Sequence, residues 1–324
     1  MKKTSVFVSR AIPDLGLNLL RQAGFDVEVW PHTRPMSPAE LLEAARRHPA
    51  LLCVLADRID AAFLQANAHL DIISQFAAGY DNIDIPEATR LGIRIGNTPN
   101  AVSHATADLA FGLLLAVARK MFFLHNTIAR GEWGSFQPKA HLGVELRNKT
   151  LGIFGLGGIG LEMAKRCKGA YDMDILYCNR HPNPLAESML GARKVSFETL
   201  LRESDILSVH CVLSDETRGI FNTAAFSQMK PSAIFINTAR GLVHNETDLI
   251  DALRSGQLWG AGLDVTNPEP MLPDNPLLSM ETVAVLPHVG SGTVEARDEM
   301  SRLAAENIIG WYQRGEVPHL VNPR

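Results

Sequence analysis

The sequence predicts an α/β protein of two domains, each built around a doubly wound parallel sheet. Three observations carry that expectation. Residues 151–160, LGIFGLGGIG, run a short apolar strand into a glycine-spaced turn and then into a helical pattern. Before this stretch short β-rich runs alternate with helical patterns, and after it the same alternation resumes. Such alternation favours parallel strands joined by crossover helices, and 324 residues suffice for two cores of ordinary size.

In chain order, strands are expected at 5–9, 26–30, 51–55, 71–76 and 93–95, with helices around 14–23, 39–47 and 85–91. Residues 99–120 read as one long helix: Asn97, Thr98 and Pro99 supply a start signal, and Ala105, Leu109, Leu113 and Ala116 continue one face. Residues 121–149, with Trp133, Phe136, Pro138 and His141, show no clear period, and a long irregular stretch in a compact protein usually has a use. We read it as an arm toward a second subunit; the plainer reading is a surface loop. Strands then follow at 151–154, 174–178, 194–195, 206–209, 233–237, 259–263 and 283–285, and an amphipathic helix at 293–314 closes the chain.

Net charge is −4, with Lys and Arg scattered, so no basic surface for nucleic acid is expected. Cys53, Cys167, Cys178 and Cys211 lie far apart, with no C-x-x-C and no His at metal-ligand spacing, which suggests reduced thiols and no metal. The first residues carry two lysines, but Ser9, Arg10 and Pro13 interrupt the apolar run, so no signal peptide is expected. The run 109–118 is too short to span a bilayer, and the expected location is the cytoplasm.

Gly155, Gly157 and Gly160 spell G-x-G-x-x-G at the strand-to-helix junction. The first glycine serves the tight turn, the second lets the backbone approach a pyrophosphate, and the third allows close helix-on-strand packing. With Gly158 and Ile159 between them, they place the phosphates on the positive end of the following helix. Alone, the motif could be a mere glycine-rich turn; the strand before it, the helix after it and the second strand at 174–178 point to a dinucleotide. That second strand ends Cys178-Asn179-Arg180-His181-Pro182, with no acid between Ile175 and Ala186. An acid there would pair with the ribose hydroxyls of NAD, whereas an arginine accommodates the extra phosphate of NADP. Arg180, with Asn179 as a neutral donor and His181 beside it, therefore predicts NADP(H) as the preferred cofactor, NAD being possible; the alternative is a solvated turn.

Three later stretches each put one ionisable residue after a predicted strand: Ile236-Asn237-Thr238-Ala239-Arg240-Gly241, Gly262 to Pro270 with Glu269, and Leu286-Pro287-His288-Val289-Gly290-Ser291. The carboxyl ends of strands are where such a sheet gathers ligands. Taken singly, each is more often a satisfied structural residue.

Their order and wording, together with Ala77-Ala78-Gly79-Tyr80-Asp81 and Thr106-Ala107-Asp108-Leu109-Ala110, resemble the D-isomer-specific 2-hydroxyacid dehydrogenase family over essentially the whole chain. The wording is closest to the glyoxylate and hydroxypyruvate reductases, with the related 2-ketogluconate reductases. The resemblance implies two Rossmann-like domains: residues 98–290 bind the dinucleotide, and residues 1–97 with 291–324 form a flavodoxin-like substrate domain. It places the active site in the interdomain cleft and suggests a homodimer.

It further implies that Arg240 holds the substrate carboxylate, its fork fitting a carboxylate as a lysine would not. His288 exchanges a proton with the carbonyl oxygen, and Glu269 favours and orients its imidazolium form. Backbone amides of Ala78 and Gly79 cradle the carboxylate and Leu55 lines the pocket. Thr106, Cys211, Thr217, Thr238, Ala239, Asp264 and Gly290 face the cofactor, Asp264 near the carboxamide. Tyr80 is expected in the core. Cys211-Val212-Leu213 departs from the usual proline-containing turn, Gly292 stands where Ala is frequent, and the arm offers Ala140 and His141 but no Trp near 139–142.

The implied function is NADPH-dependent reduction of a small 2-oxo acid to the D-2-hydroxy acid. Two other readings share the fold: a nucleotide-sensing regulatory protein of the corepressor kind, and a dehydrogenase for another D-2-hydroxy acid. The three ionisable residues together argue against the first. Phosphoglycerate and phosphite dehydrogenases fit less well, since no C-terminal regulatory domain is expected and residues 76–79 contain no Lys.

Overall fold

A computed structural model describes residues 4–323. The chain divides into two compact units: one holds the chain up to Val102 together with the segment from Ser291 onward, and the other is Ser103–Gly290.

The first unit contains β1 (Ser5–Val8), α1 (Asp14–Gln22), β2 (Asp26–Val29), α2 (Pro38–Ala45), β3 (Ala50–Cys53), α3 (Ala61–Ala66), β4 (Ile72–Gln75), α4 (Ile85–Leu91) and β5 (Arg94–Gly96). The strands are all parallel in the order β2-β1-β3-β4-β5, the flavodoxin-like order. β3 is buried throughout, which is why it reads as an unbroken apolar run, and β4 is buried throughout although it ends in Ser74 and Gln75. Helix starts are set by short polar side chains: Ser37 and Glu40 close a capping box on α2, and Asp60 and Asp84 cap α3 and α4. The sequence reading missed α3, whose six residues are too few to display a period.

The second unit begins with α5 (Ser103–Ala118) and α6 (Met121–Ala129). The single helix expected over 99–120 is corrected at both ends. Asn100 and Lys120 take left-handed backbone angles, φ +64° and +53°, so the helix starts at Ser103, stops at Ala118, and a second helix turns away. The irregular arm expected over 121–149 therefore opens with helix α6. None of the α6 residues is buried, and Trp133 and Phe136 beyond it are 79% and 90% exposed.

The sheet of this unit follows: β6 (Thr150–Phe154), α7 (Gly158–Tyr171), β7 (Asp174–Cys178), α8 (Pro184–Leu190), β8 (Arg193–Lys194), α9 (Phe197–Glu203), β9 (Ile206–Val209), α10 (Thr223–Phe226), β10 (Ile234–Asn237), α11 (Glu246–Arg254), β11 (Gly260–Leu263) and β12 (Val283–Val285). All are parallel in the order β12-β11-β10-β9-β6-β7-β8. The order reverses beside β6, making its carboxyl end the switch point at which such sheets bind ligands. Helix α5 lies on β11 because that strand has glycines: a Cβ on Gly262 would come within 3.0 Å of Leu113. The last helix, α12 (Val294–Arg314), returns to the first unit, where Gly16 of α1 sits against the Ser301 backbone and donates its amide to Ser301 Oγ at 2.9 Å.

Candidate active site

At the switch point each glycine of the turn shows its own reason. Gly155 has φ +98°, and a Cβ there would meet the Cys211 amide at 2.5 Å. A Cβ on Gly160 would meet the Gly155 carbonyl at 2.8 Å and Ile153 Cγ2 at 3.0 Å, the close helix-on-strand contact. Gly157 is different, because nothing of the protein lies within 4 Å of a Cβ built on it. That glycine fronts open space, as a backbone that must approach a ligand should. Leu161 donates to Gly157, so α7 leaves the amides of Gly158, Ile159 and Gly160 as first-turn donors without intrahelical acceptors. Open amides and the helix dipole together fit a pyrophosphate.

At the end of β7 the residues expected to read the nucleotide divide. Asn179 braces the glycine turn: its Oδ1 accepts from Leu156 N at 2.6 Å and its Nδ2 donates to Leu156 O at 3.1 Å. The side chain is thus a strut of the glycine turn, satisfying backbone groups the turn itself exposes. Arg180 and His181 are exposed, and neither side chain has a hydrogen-bond or ion-pair partner among the described residues. Lys194, which sequence reasoning passed over, donates to the Arg180 carbonyl at 3.2 Å and adds a cation to the same edge.

The ionisable trio stands on three neighbouring strand ends, β10, β11 and β12. Arg240 follows β10 and is half-buried, one guanidinium nitrogen donating to Ala239 O at 2.8 Å. Asn237, fully buried, shapes this loop: its Nδ2 donates to Arg240 O and to His244 Nδ1, and its Oδ1 accepts from Ala239 N. The loops of Arg240 and Glu269 are pressed together, since a Cβ on Gly241 would overlap the Thr266 carbonyl at 1.9 Å.

Asp264 locks the β12 loop to β11. His288 N donates to its carbonyl at 2.9 Å, and its carboxylate accepts from Val289 N at 2.8 Å and Gly290 N at 2.7 Å. The side chain is buried, and burial raises its pKa above the ordinary carboxylate range against those two amides. Asp264 thereby anchors the loop that carries His288. Held this way, His288 takes the left-handed angle φ +53°, uncommon for a residue with a Cβ. Its Nδ1 hydrogen-bonds Glu269 Oε1 while the ring stays one-third exposed. An imidazole with one nitrogen against a carboxylate and the other edge accessible can store a proton and hand it on.

The remaining candidates are placed as follows. Thr106 is buried against Gly290, where a Cβ would lie 3.1 Å from Thr106 Cγ2. Thr238 faces His210, whose ring bridges Ser208 Oγ at 2.8 Å and Thr238 Oγ1 at 3.3 Å, and burial lowers that imidazole's pKa to about 4. The Thr217 hydroxyl closes the turn after β9, donating to Val212 O at 2.7 Å and accepting from Ser214 N at 2.8 Å. Cys211 is half-buried, its thiol pushed up to about 12 by burial.

In the first unit, Leu55 is half-buried on the loop after β3, and Ala78 and Gly79 lie on the loop after β4. Tyr80 is 39% exposed rather than in the core. Among the described residues no group of three or more His, Cys, Asp or Glu could hold a metal ion, and no helix is long and apolar enough to cross a membrane.

Open amides at the sheet's switch point, with an arginine, a glutamate and a histidine on three neighbouring strand ends, fit a dehydrogenase that uses a nicotinamide dinucleotide. Comparison with known proteins narrows the class. Residues 111–290 match the D-isomer specific 2-hydroxyacid dehydrogenase NAD-binding domain. The glyoxylate reductase of Thermococcus litoralis is 43% identical over 325 residues, covering 99% of this chain and 97% of that protein. Two solved structures superpose over nearly all of both chains. A glyoxylate reductase from Paecilomyes thermophila does so at TM-score 0.89 and 32% identity, covering 99% of each. An NADPH-dependent glyoxylate/hydroxypyruvate reductase from Sinorhizobium meliloti, in complex with NADP and malonate, does so at 0.86 and 30%, covering 99% of this chain and 97% of that one. The chain therefore belongs to the D-isomer specific 2-hydroxyacid dehydrogenase family and is an NAD(P)-dependent member of it.

Proposed function

We propose that the protein reduces glyoxylate, hydroxypyruvate and, among larger 2-oxo acids, 2-ketogluconate to the D-2-hydroxy acids, with NADPH as the preferred donor. The observation that carries this reading is the hydrogen bond between Glu269 and His288 beside the Arg240 loop. When bound, the reduced nicotinamide supplies the hydride. Arg240 pairs its guanidinium with the substrate carboxylate and draws electron density from the 2-oxo group. His288 gives its proton to the carbonyl oxygen as that oxygen gains charge, and Glu269 stabilises the imidazolium from which the proton leaves. Asp264, Asn237 and the Gly241–Thr266 contact hold these groups in place.

From the first unit, the amides of Ala78 and Gly79 take the carboxylate and Leu55 gives apolar contact. In the second, the amides of Gly158, Ile159 and Gly160 hold the pyrophosphate, and Arg180 with His181 meets the adenosine phosphate that distinguishes NADPH. The Sinorhizobium meliloti reductase, in complex with NADP, supports that preference. The exposed apolar residues of 121–142 support pairing with a second copy of the chain.

Steady-state kcat/KM for glyoxylate, hydroxypyruvate and 2-keto-D-gluconate, each with NADPH and NADH, tests the reading. One substrate well ahead and NADPH favoured is the expected pattern. Negligible turnover of all six pairs would move the assignment to another D-2-hydroxy acid or to the nucleotide-sensing reading.

A further inference from the structure

Three successive carbonyls of the loop after β4 are each bound from behind. Ala77 O accepts from Thr98 N at 3.0 Å, Ala78 O from Asn97 Nδ2 at 2.8 Å, and Gly79 O from Gln75 Nε2 at 3.4 Å. In a trans peptide the N–H of the next residue points opposite to the carbonyl. The amides of Ala78, Gly79 and Tyr80 are therefore turned away from these anchors, and none of the three has a hydrogen-bond partner among the described residues. Successive unpartnered amides of this kind form an anion-binding concavity.

The Gln75 anchor has only one self-consistent orientation. Asn82 Nδ2 donates to two carbonyls, Asp57 O at 2.8 Å and Val54 O at 3.3 Å, so Asn82 Oδ1 is an acceptor. Gln75 Nε2, 2.8 Å from that oxygen, must donate to it, and Gln75 Oε1 then accepts from the Cys53 thiol at 2.9 Å. Gln75 and Cys53 are fully buried. The chain of polar groups ties the 54–57 loop to the 76–80 loop, and it offers Gly79 O a donor with no alternative arrangement.

We propose that Gln75 and Asn97 are positioning residues for the substrate, holding Ala78, Gly79 and Tyr80 as a three-amide cradle for the carboxylate of the 2-oxo acid. Tyr80 thus contributes its backbone rather than its ring, and Cys53 and Asn82 fix Gln75. The inference rests on the reading above that a 2-oxo acid carboxylate meets this loop.

The test uses the full-length enzyme as wild type, Gln75→Leu and Asn97→Ala, with oxalate as a non-reacting dicarboxylate probe measured by calorimetry in the presence of NADPH. Thermal melts identify the folded variants. Each folded variant is expected to weaken oxalate and raise KM for glyoxylate about tenfold or more, since aligned bonds to a charged group are lost. kcat should stay within about threefold and NADPH affinity within about twofold. In ¹⁵N-labelled wild type, oxalate should shift the Tyr80 amide together with those of Ala78 and Gly79. Should Gln75→Leu fail to fold, Asn97→Ala carries the test. Wild-type oxalate affinity in a folded variant overturns the positioning role, and an unmoved Tyr80 amide overturns the third donor. A wild type that neither binds oxalate nor reduces any 2-oxo acid defeats the substrate reading itself, and this inference with it.

Discussion

At the scale of single residues, the candidate site is governed by how backbone groups are satisfied. Asp264 shows this best: its carboxylate takes two consecutive amides, Val289 N and Gly290 N, and its carbonyl takes the amide of His288. An asparagine there would turn an NH₂ group toward amides that also donate. Asp264→Asn should lower stability by about 1.5–3 kcal/mol, the usual value of bonds to a charged acceptor, as read by urea unfolding. It should also depress kcat more than cofactor affinity, because the residue it displaces is His288. Arg180 makes a separable prediction. Its guanidinium is exposed and has no partner among the described residues, so Arg180→Ala should leave kcat/KM with NADH within about twofold. The same variant should reduce kcat/KM with NADPH about tenfold or more, one charge-assisted contact being worth roughly 1.5–3 kcal/mol.

At the scale of elements, the strands and their glycine turn were legible because their signals are local. The G-x-G-x-x-G turn and the apolar run of β3 lie within a few residues of what they control, whereas the Ser37, Asp60 and Asp84 caps were not read and the helix that Asp60 starts was missed. Helix 99–120 was misread because its breaks at Asn100 and Lys120 are single left-handed residues, which leave no period to detect. Asn179 and Thr217 have a structural use that the sequence did not display. Their side chains satisfy backbone groups of their own turns, a use that composition cannot separate from ligand contact. The Arg240, Glu269 and His288 loops were found by position after strands, whereas Gln75, Asn82 and Asn97 were not, because their role depends on which loops the fold brings together.

An element-scale test concerns the buried imidazole between β10 and α11. Burial lowers the His244 pKa from 6.5 to about 4, and its Nδ1 accepts from Asn237. The unfolded chain binds that proton near 6.5 and the folded one only near 4, so stability is present above the unfolded value and is lost as pH falls through this window. His210, likewise lowered to about 4, acts in the same direction. Each contributes a slope approaching ~1.4 kcal/mol per pH unit between these limits. Unfolding measured from pH 7 to 4 should therefore steepen below 6.5, and His244→Phe, although less stable at pH 7, should show the shallower slope.

At the scale of the molecule, two parallel sheets of different order are each completed by their own helices, and α12 brings the chain's end back to the unit in which it began. The surface left unexplained by this plan is the stretch after α5. Met121, Phe122, Ile128, Trp133, Phe136 and Leu142 are all exposed within one short stretch of chain. Light scattering behind a sizing column should return twice the 35.4 kDa of one chain, and Trp133→Ser with Phe136→Ser should shift the population toward the single chain. A monodisperse monomer of the unaltered protein would refute the arm.

The proposed reduction depends on His288 as the proton donor, held by Asp264 and paired with Glu269. The most direct measurement is kcat/KM for NADPH-dependent glyoxylate reduction by His288→Gln beside the unaltered enzyme, with NADPH binding checked in both. A fall of about 10² or more with cofactor affinity retained is what a general acid requires, and a loss smaller than about tenfold would contradict it.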